Sequence, residues 1–210
     1  MTSDGEKCCR SRPWVCLLIL SCVPVACGCY RDGATYAPDP ETEAEVRGWL
    51  LRMPSLRWHE PPRMSLEEWA ASANHIDHIE EALLWLLERD DDPSIRDHIV
   101  IALAYKGTSK SVSALVKVLK YEPAYMQAFA AVALGRIGDV RGAEALCVAA
   151  RESPELNVRS RACEALGRLR CGDARRCLEQ VVADSDEDPF VREVAADGLA
   201  SICSSDEGTQ

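Results

Sequence analysis

Aromatic side chains are scarce in this chain: Phe, Trp and Tyr together make up 6% of its 210 residues, and Phe stands at only two positions. So thin a supply argues against an aromatic-rich β-sandwich and suits a solvated helical array. Basic charge is short as well, with 24 lysines and arginines against 34 aspartates and glutamates and a formal net charge of −10. Counterion release from a phosphate backbone needs clustered Lys and Arg, so no nucleic-acid partner is expected. Long apolar runs are also missing. The run from Trp14 to Ala26, broken by Ser21 and Pro24, falls short of the roughly 20 residues a spanning helix needs. No Ser-His-Asp arrangement, glycine-rich phosphate loop or carboxylate pair stands out. Accordingly no catalytic residue, cofactor or small-molecule substrate is assigned, and the chain is read as a non-enzyme.

What the sequence has instead is repetition. Val191 to Ile202 can be set against Val158 to Leu169, Met126 to Ile137 and, more loosely, Ile95 to Lys106, with first residues 31, 32 and 33 positions apart. A period in that range marks a helical solenoid. Within each segment apolar or small residues fall at offsets 0, 4, 7, 8 and 11 (Val191, Ala195, Gly198, Leu199, Ile202), one buried stripe per helix with small residues where backbones approach. Only Lys106 departs from the stripe. A first helix precedes each segment, aligned on Leu83, Leu115, Leu146 and Leu178, with small Ala82, Ala114, Ala145 or Cys177 before it. Between the two helices of each unit lie Pro93, Pro123, Pro154 and Pro189, each after Asp, Glu or Ser, as expected at the start of a helix. Gly107 and Gly138 are expected to end their helices in left-handed caps, with Gly172 falling later in its unit. No unit can bury its stripe alone, so neighbours must stack.

Upstream, Glu41 to Met53 carries Val46, Leu50 and Met53 at helical spacing, and Pro54 ends it. Ser65 and Glu68 form a capping box that starts a further helix. These pieces match the repeat poorly and read as a cap or a degenerate repeat. Lys7, Arg10 and Arg12 precede the apolar run, which closes on Val25-Ala26-Cys27-Gly28-Cys29, so the amino-terminal end reads as an export address. The turn-rich stretch from Arg31 to Pro40 reads as a tether. The chain thus divides into a signal over 1–28, a tether over 29–40, N-terminal helices over 41–75, the array over 76–204 and an acidic tail over 205–210.

Val158-Arg159 through Ala165-Leu166-Gly167, the run Ala133-Leu134-Gly135-Arg136-Ile137-Gly138-Asp139, and Val191-Arg192 through Leu199 resemble HEAT-like repeats, specifically the phycobilisome-lyase type. The resemblance implies an all-α, right-handed α-solenoid of about four to five helical hairpins, serving as a protein-binding scaffold with its second helices on the concave face. The arginine that follows the valine in such repeats is matched by Arg96, Arg159 and Arg192, while Gln127 departs. These arginines are read as a structural ladder to acidic turns. Deoxyhypusine hydroxylase, a relative that binds iron through His-Glu pairs, is not matched, since His59-Glu60 lies outside the repeats. Bilin lyases share the repeat type, but repeats alone do not bring their chemistry. The other end resembles a bacterial lipoprotein signal with Cys29 as the lipid-attachment residue, although Ala26 and Cys27 stand where Leu and Ala or Ser are usual.

Two further groups are weighed. His75 and His78, at i and i+3, could share a helix face and hold a metal with Glu81; solvated histidines are the simpler reading. Of the array cysteines, Cys163 and Cys177 take alanine positions and read as small core residues. A Cys171–Cys177 or Cys171–Cys203 bridge is admissible in an oxidising compartment, and the state of Cys147 is left open. The resulting expectation is an exported, lipid-anchored scaffold or adaptor of the cell envelope, facing the periplasm or exterior, or else secreted. Its partner is a protein, with the membrane reached through the anchor. A metal-binding or enzymatic accessory protein is the alternative.

Overall fold

Ten α-helices and one short 3-10 turn follow one another along the chain, with no strand among the described residues. The computed structural model describes residues 36–54 and 65–206, all within one compact unit. The signal segment with Cys29, the His59-Glu60 dipeptide and residues 207–210 lie outside the described residues. Helices α1 (Pro40–Leu51) and α2 (Leu66–Ala71) come first. Four hairpins follow: α3 (Ile79–Arg89) with α4 (Pro93–Lys106), α5 (Val112–Tyr121) with α6 (Ala124–Ile137), α7 (Ala143–Glu152) with α8 (Leu156–Leu169), and α9 (Gly172–Ala183) with α10 (Pro189–Asp206). The fold is an all-α solenoid. Among the described residues, no helix is long and apolar enough to cross a membrane.

The offset pattern sets which faces are buried. Val158, Ala162, Ala165, Leu166 and Leu169 are all buried, as are Met126, Ala130, Ala133 and Leu134 of the preceding unit. The aligned Leu83, Leu115, Leu146 and Leu178 are each completely buried on the first helices. Full burial of such a side chain contributes roughly 1.5–3 kcal/mol. Lys106, the departure from the stripe, is half-buried and turns its ammonium to Asn74 Oδ1 at 2.5 Å. Burial lowers its pKa.

Successive second helices pack more closely than successive first helices, and small residues make that possible. A Cβ added to Gly167 would lie 2.7 Å from Gly198 Cα, and one added to Gly135 would lie 2.8 Å from Ala165 Cα. Backbones therefore touch between α6 and α8 and between α8 and α10. The layer of second helices is drawn together while the first helices stay further apart, so the second-helix side is the inner one.

Helix ends depart in places from the sequence expectation. Asp92 caps α4 by accepting from Ser94 N at 2.9 Å, with Pro93 just inside, and Asp188 accepts from Phe190 N at 2.8 Å beside Pro189. Pro123, by contrast, occupies the cap position itself, and Pro154 stands before the cap Glu155. Gly138 ends α6 with φ of 73°, as a left-handed cap should. Gly107 does not: its φ is −71°, and it is glycine because a Cβ would meet Leu103 O at 2.4 Å. Gly172 begins α9, and the left-handed residue after α8 is Arg170, with φ of 49°. The last helix continues through Asp206, so the start of the expected acidic tail is helical.

The amino-terminal end is closed by two tryptophans. Ser65 accepts from Glu68 N at 3.1 Å while Glu68 accepts from Ser65 N at 2.8 Å, so the capping box forms and α2 starts where the sequence places it. This sets Trp69 against Trp49 of α1, rings stacked at 4.2 Å and both almost fully buried. Each indole donates to the other's carbonyl, Trp49 Nε1 to Trp69 O at 3.0 Å and Trp69 Nε1 to Trp49 O at 3.1 Å. Both polar tips are thereby satisfied inside the core.

At the other end, Cys147 of α7 and Cys177 of α9 form a disulfide, with Cα atoms 5.8 Å apart. Neither bridge considered from sequence is present: Cys171 and Cys203 are free thiols. Cys147 follows the aligned leucine of its unit and Cys177 precedes that of the next, so the two meet across the joint. Cys163 is a buried core residue, and burial pushes its thiol up to about 12. By closing a loop across a sequence separation of 30, the bridge constrains the unfolded chain by about 3.7 kcal/mol in the chain-entropy picture. Reduction should therefore lower the Tm of the native chain measurably, and the same reductant should leave a Cys147→Ala/Cys177→Ala chain unmoved. Equal responses of the two in a thermal melt would remove the bridge from the account.

Candidate functional site

The arginines after the valine sit at the joints between units. Arg96 donates through Nη1 to Leu87 O at 2.6 Å and Asp90 O at 3.2 Å, and through Nη2 to Glu122 of the next unit's turn. Arg159 repeats this one step on, donating to Ser153 O at 2.9 Å, Pro154 O at 3.2 Å and Glu187 Oε1 at 3.0 Å. Each guanidinium thus satisfies carbonyls at the end of its own first helix and reaches forward to a carboxylate of the next. Gln127 keeps the backward bond, Nε2 to Glu122 O at 2.9 Å. Among the described residues no further turn follows α10, and the Arg192 Nε is buried without a hydrogen-bond partner. Arg47 of α1 was missed in the sequence, yet it donates forward to Asp90 and back to Glu43 at 2.9 Å. The signal was present: Val46-Arg47 is the same dipeptide as Val158-Arg159, and it makes α1 behave as the second helix of an incomplete unit.

The histidines do not share a helix face. Residues 72–78 form turns, and α3 begins after His78, which holds a left-handed conformation with φ of 54°. His75 Nε2 lies 3.0 Å from Glu45 Oε1, while His78 faces the Tyr36 ring at 5.7 Å. Glu81 pairs with Lys110 Nζ at 2.7 Å instead. Among the described residues, no group of three or more His, Cys, Asp or Glu is arranged to hold a metal. Glu80, one residue earlier, is buried for another reason: it accepts from Thr108 N at 2.7 Å and from Ser111 Oγ at 2.5 Å, organising the turn into α5.

Among the described residues, an apolar groove lies on the outward faces of the second helices. About 390 Å³ lies across α4, α6 and α8, with Leu66 of α2 at one edge. The same faces recur: taking the buried valine position as zero, offsets −1, 3, 6 and 10 point into the groove. They carry Ile101 and Tyr105 on α4, Tyr125, Phe129, Val132 and Arg136 on α6, and Asn157 and Arg161 on α8. Arg136 lies over the Tyr105 ring at 4.1 Å, holding its guanidinium at the rim. On the opposite side Tyr125 is half exposed. Its hydroxyl faces Asp97, whose Oδ1 is buried without a partner. Burial pushes the Asp97 carboxyl above its ordinary range, an effect partly offset by the Tyr125 hydroxyl and by His98 and Arg96. A second recess of about 400 Å³ lies over α7 and α9 beside the disulfide, lined by Glu144, Asp173, Arg176 and Gln180. Such open, charged ground lacks the apolar lining typical of ligand sites.

The family model described as HEAT repeats matches this chain over residues 80–155 and again over 143–209, together more than half its length. No curated protein matches it.

Two outcomes test the geometry. Removing a partly buried cation that bridges two units leaves Glu187 without its guanidinium and the Ser153 and Pro154 carbonyls without that donor, so Arg159→Met should cost about 2 kcal/mol in a denaturant melt. Gln127→Ala, which breaks one neutral bond, should cost clearly less. For Asp97, the folded carboxyl holds its proton to higher pH than the unfolded one, so its ionisation destabilises the fold as pH rises above the ordinary 3.8. Asp97→Asn should raise the Tm at neutral pH, with the gain disappearing below that value. A gain constant across pH would remove burial of the charge as its cause.

Proposed function

Because the chain belongs to the HEAT-repeat family, we propose that it is an exported, lipid-anchored scaffold or adaptor that binds another protein along the inner face of its second helices. HEAT repeats generally build protein-interaction scaffolds, and the particular kind favoured for this chain is the phycobilisome-lyase type, for its architecture and not for lyase chemistry. The observation that carries the reading is the groove across α4, α6 and α8. Its apolar side chains are repeated at offsets that packing of the array does not require, since the core stripe occupies different ones. Apolar side chains clustered on an outward face, rimmed by polar ones, are the usual mark of an interaction surface.

Export has its own support. The Cys147–Cys177 pairing suits a compartment where disulfides persist. The positively charged start, the apolar run and the closing Ala26-Cys27-Gly28-Cys29 suit a lipoprotein signal. On this reading Cys29 carries the lipid, the array faces the periplasm or exterior, and the chain works by binding without catalysis. A metal-dependent accessory role has weaker support, since His75 and His78 turn to different partners.

Crosslinking in intact membranes followed by purification of the chain should recover one protein at fixed stoichiometry. A Cys29→Ser chain should lose both labelled lipid and membrane association. Unchanged labelling of that variant would sink the anchor, and crosslinks scattered over abundant envelope proteins would sink the scaffold.

A further inference from the structure

The repeat offsets that face outward do not carry the same chemistry from unit to unit. On α4 and α6 they supply Ile101, Tyr105, Phe129 and Val132, a continuous apolar floor. On α8 the same offsets supply Asn157, Arg161, Glu164 and Arg168. The change from apolar to basic falls inside the groove, which both Arg161 and Arg136 line. In a chain of net charge −10, two arginines bordering an apolar recess are a local exception that needs a reason.

Neither arginine is needed where it stands. Arg136 meets Glu67 at 3.7 Å, and the Glu67 side chain is 69% exposed. Arg161 meets Glu164 at 3.0 Å on its own helix, and Glu164 is also held by Arg168 at 2.6 Å. Exposed pairs of this sort contribute little stability, so either guanidinium can exchange its carboxylate for another at small cost. The ring of Tyr105 fixes Arg136 in place at 4.1 Å, which reduces what an incoming carboxylate must order. At about 390 Å³ the recess is large enough for one aromatic or branched side chain, and its lining comes from three neighbouring second helices.

We propose that this groove docks a short segment of a partner protein in which an aromatic or branched apolar side chain lies next to an acidic residue. The apolar side chain fills the floor over Phe129 and Val132, and carboxylates of the segment pair with the guanidiniums of Arg161 and Arg136. A basic segment is rejected by like charge at the same rim. The assignment rests on the scaffold reading above and narrows it to one partner chemistry.

The test uses the full chain and a displayed library of random linear peptides as the probe, with enriched peptides then synthesised and titrated. Enrichment of peptides that combine an apolar anchor with Asp or Glu is expected. Arg161→Glu and Arg136→Glu, both exposed and remote from the buried stripe, should each weaken such a peptide by about tenfold. A peptide with Lys in place of its acid should recover binding to the Arg161→Glu chain. Enriched peptides without an acidic residue overturn the assignment, as do peptides whose affinity both exchanges leave unchanged, and so does a failure to enrich any. If sedimentation finds a dimer that Arg161→Glu dissolves, a second copy is the occupant and the assignment falls. The scaffold reading survives each of these failures wherever membrane crosslinking still recovers one stoichiometric partner, so the two can fail separately.

Discussion

The contact between successive second helices, lined by alanine and glycine, is the constraint on which the rest of this array depends. No hairpin has enough apolar surface to close a core by itself, so each buried stripe exists only because the next unit covers it. Close approach of the backbones at Gly135–Ala165 and Gly167–Gly198 brings the leucines of the first helices into the same core. It also leaves the opposite face of each second helix pointing outward on the inner side of the array. Packing and exposure are thereby separated by offset along one helix: one set of positions is taken by the neighbour, and another lines the open groove.

The polar interactions are subordinate to that arrangement and follow its geometry. Arg96 and Arg159 reach carbonyls behind them and carboxylates ahead because the stacked units place both within the length of one side chain. Arg47 extends the same pattern to α1, which is why helices that match the repeat poorly still join it. The two ends are secured by other means, stacked tryptophans at one and a disulfide between first helices at the other. Both devices tie neighbouring helices by contacts that the stacking of second helices does not supply.

The periodic parts of the fold were legible in the sequence because one repeated contact imposes one repeated pattern. The buried residues at offsets 0, 4, 7 and 8 follow it, as does the Ser65–Glu68 capping box, which depends on only four consecutive residues. What was not legible depends on distances across a joint. The pairing of Cys147 with Cys177 needs two first helices at a set separation, and nothing in either local sequence distinguishes it from a Cys171 pairing. Left-handed backbone at Arg170 and His78 escaped for the same reason, since tertiary packing imposed it on residues that do not favour it. The weaker reading of His75 and His78 on one face failed because spacing of three implies a shared face only inside a helix, and residues 72–78 are turns. The groove was half visible: its location on the second helices followed from the resemblance, but its basic rim required knowing which offsets face outward.

Where Gly167 meets Gly198, the separation of two helix axes is set by the absence of a single carbon atom on each. A joint of this kind acts as a ratchet for curvature. Enlarging one residue there would push two units apart on the inner side and open the array locally, without disturbing its leucine core elsewhere. The Gly135–Ala165 contact is a joint of the same kind, and it lies between α6 and α8, which share the groove, so the groove's width can change in steps of one methyl group. Relatives of this chain could thus come to differ in what they grip through substitutions that never touch the ligand.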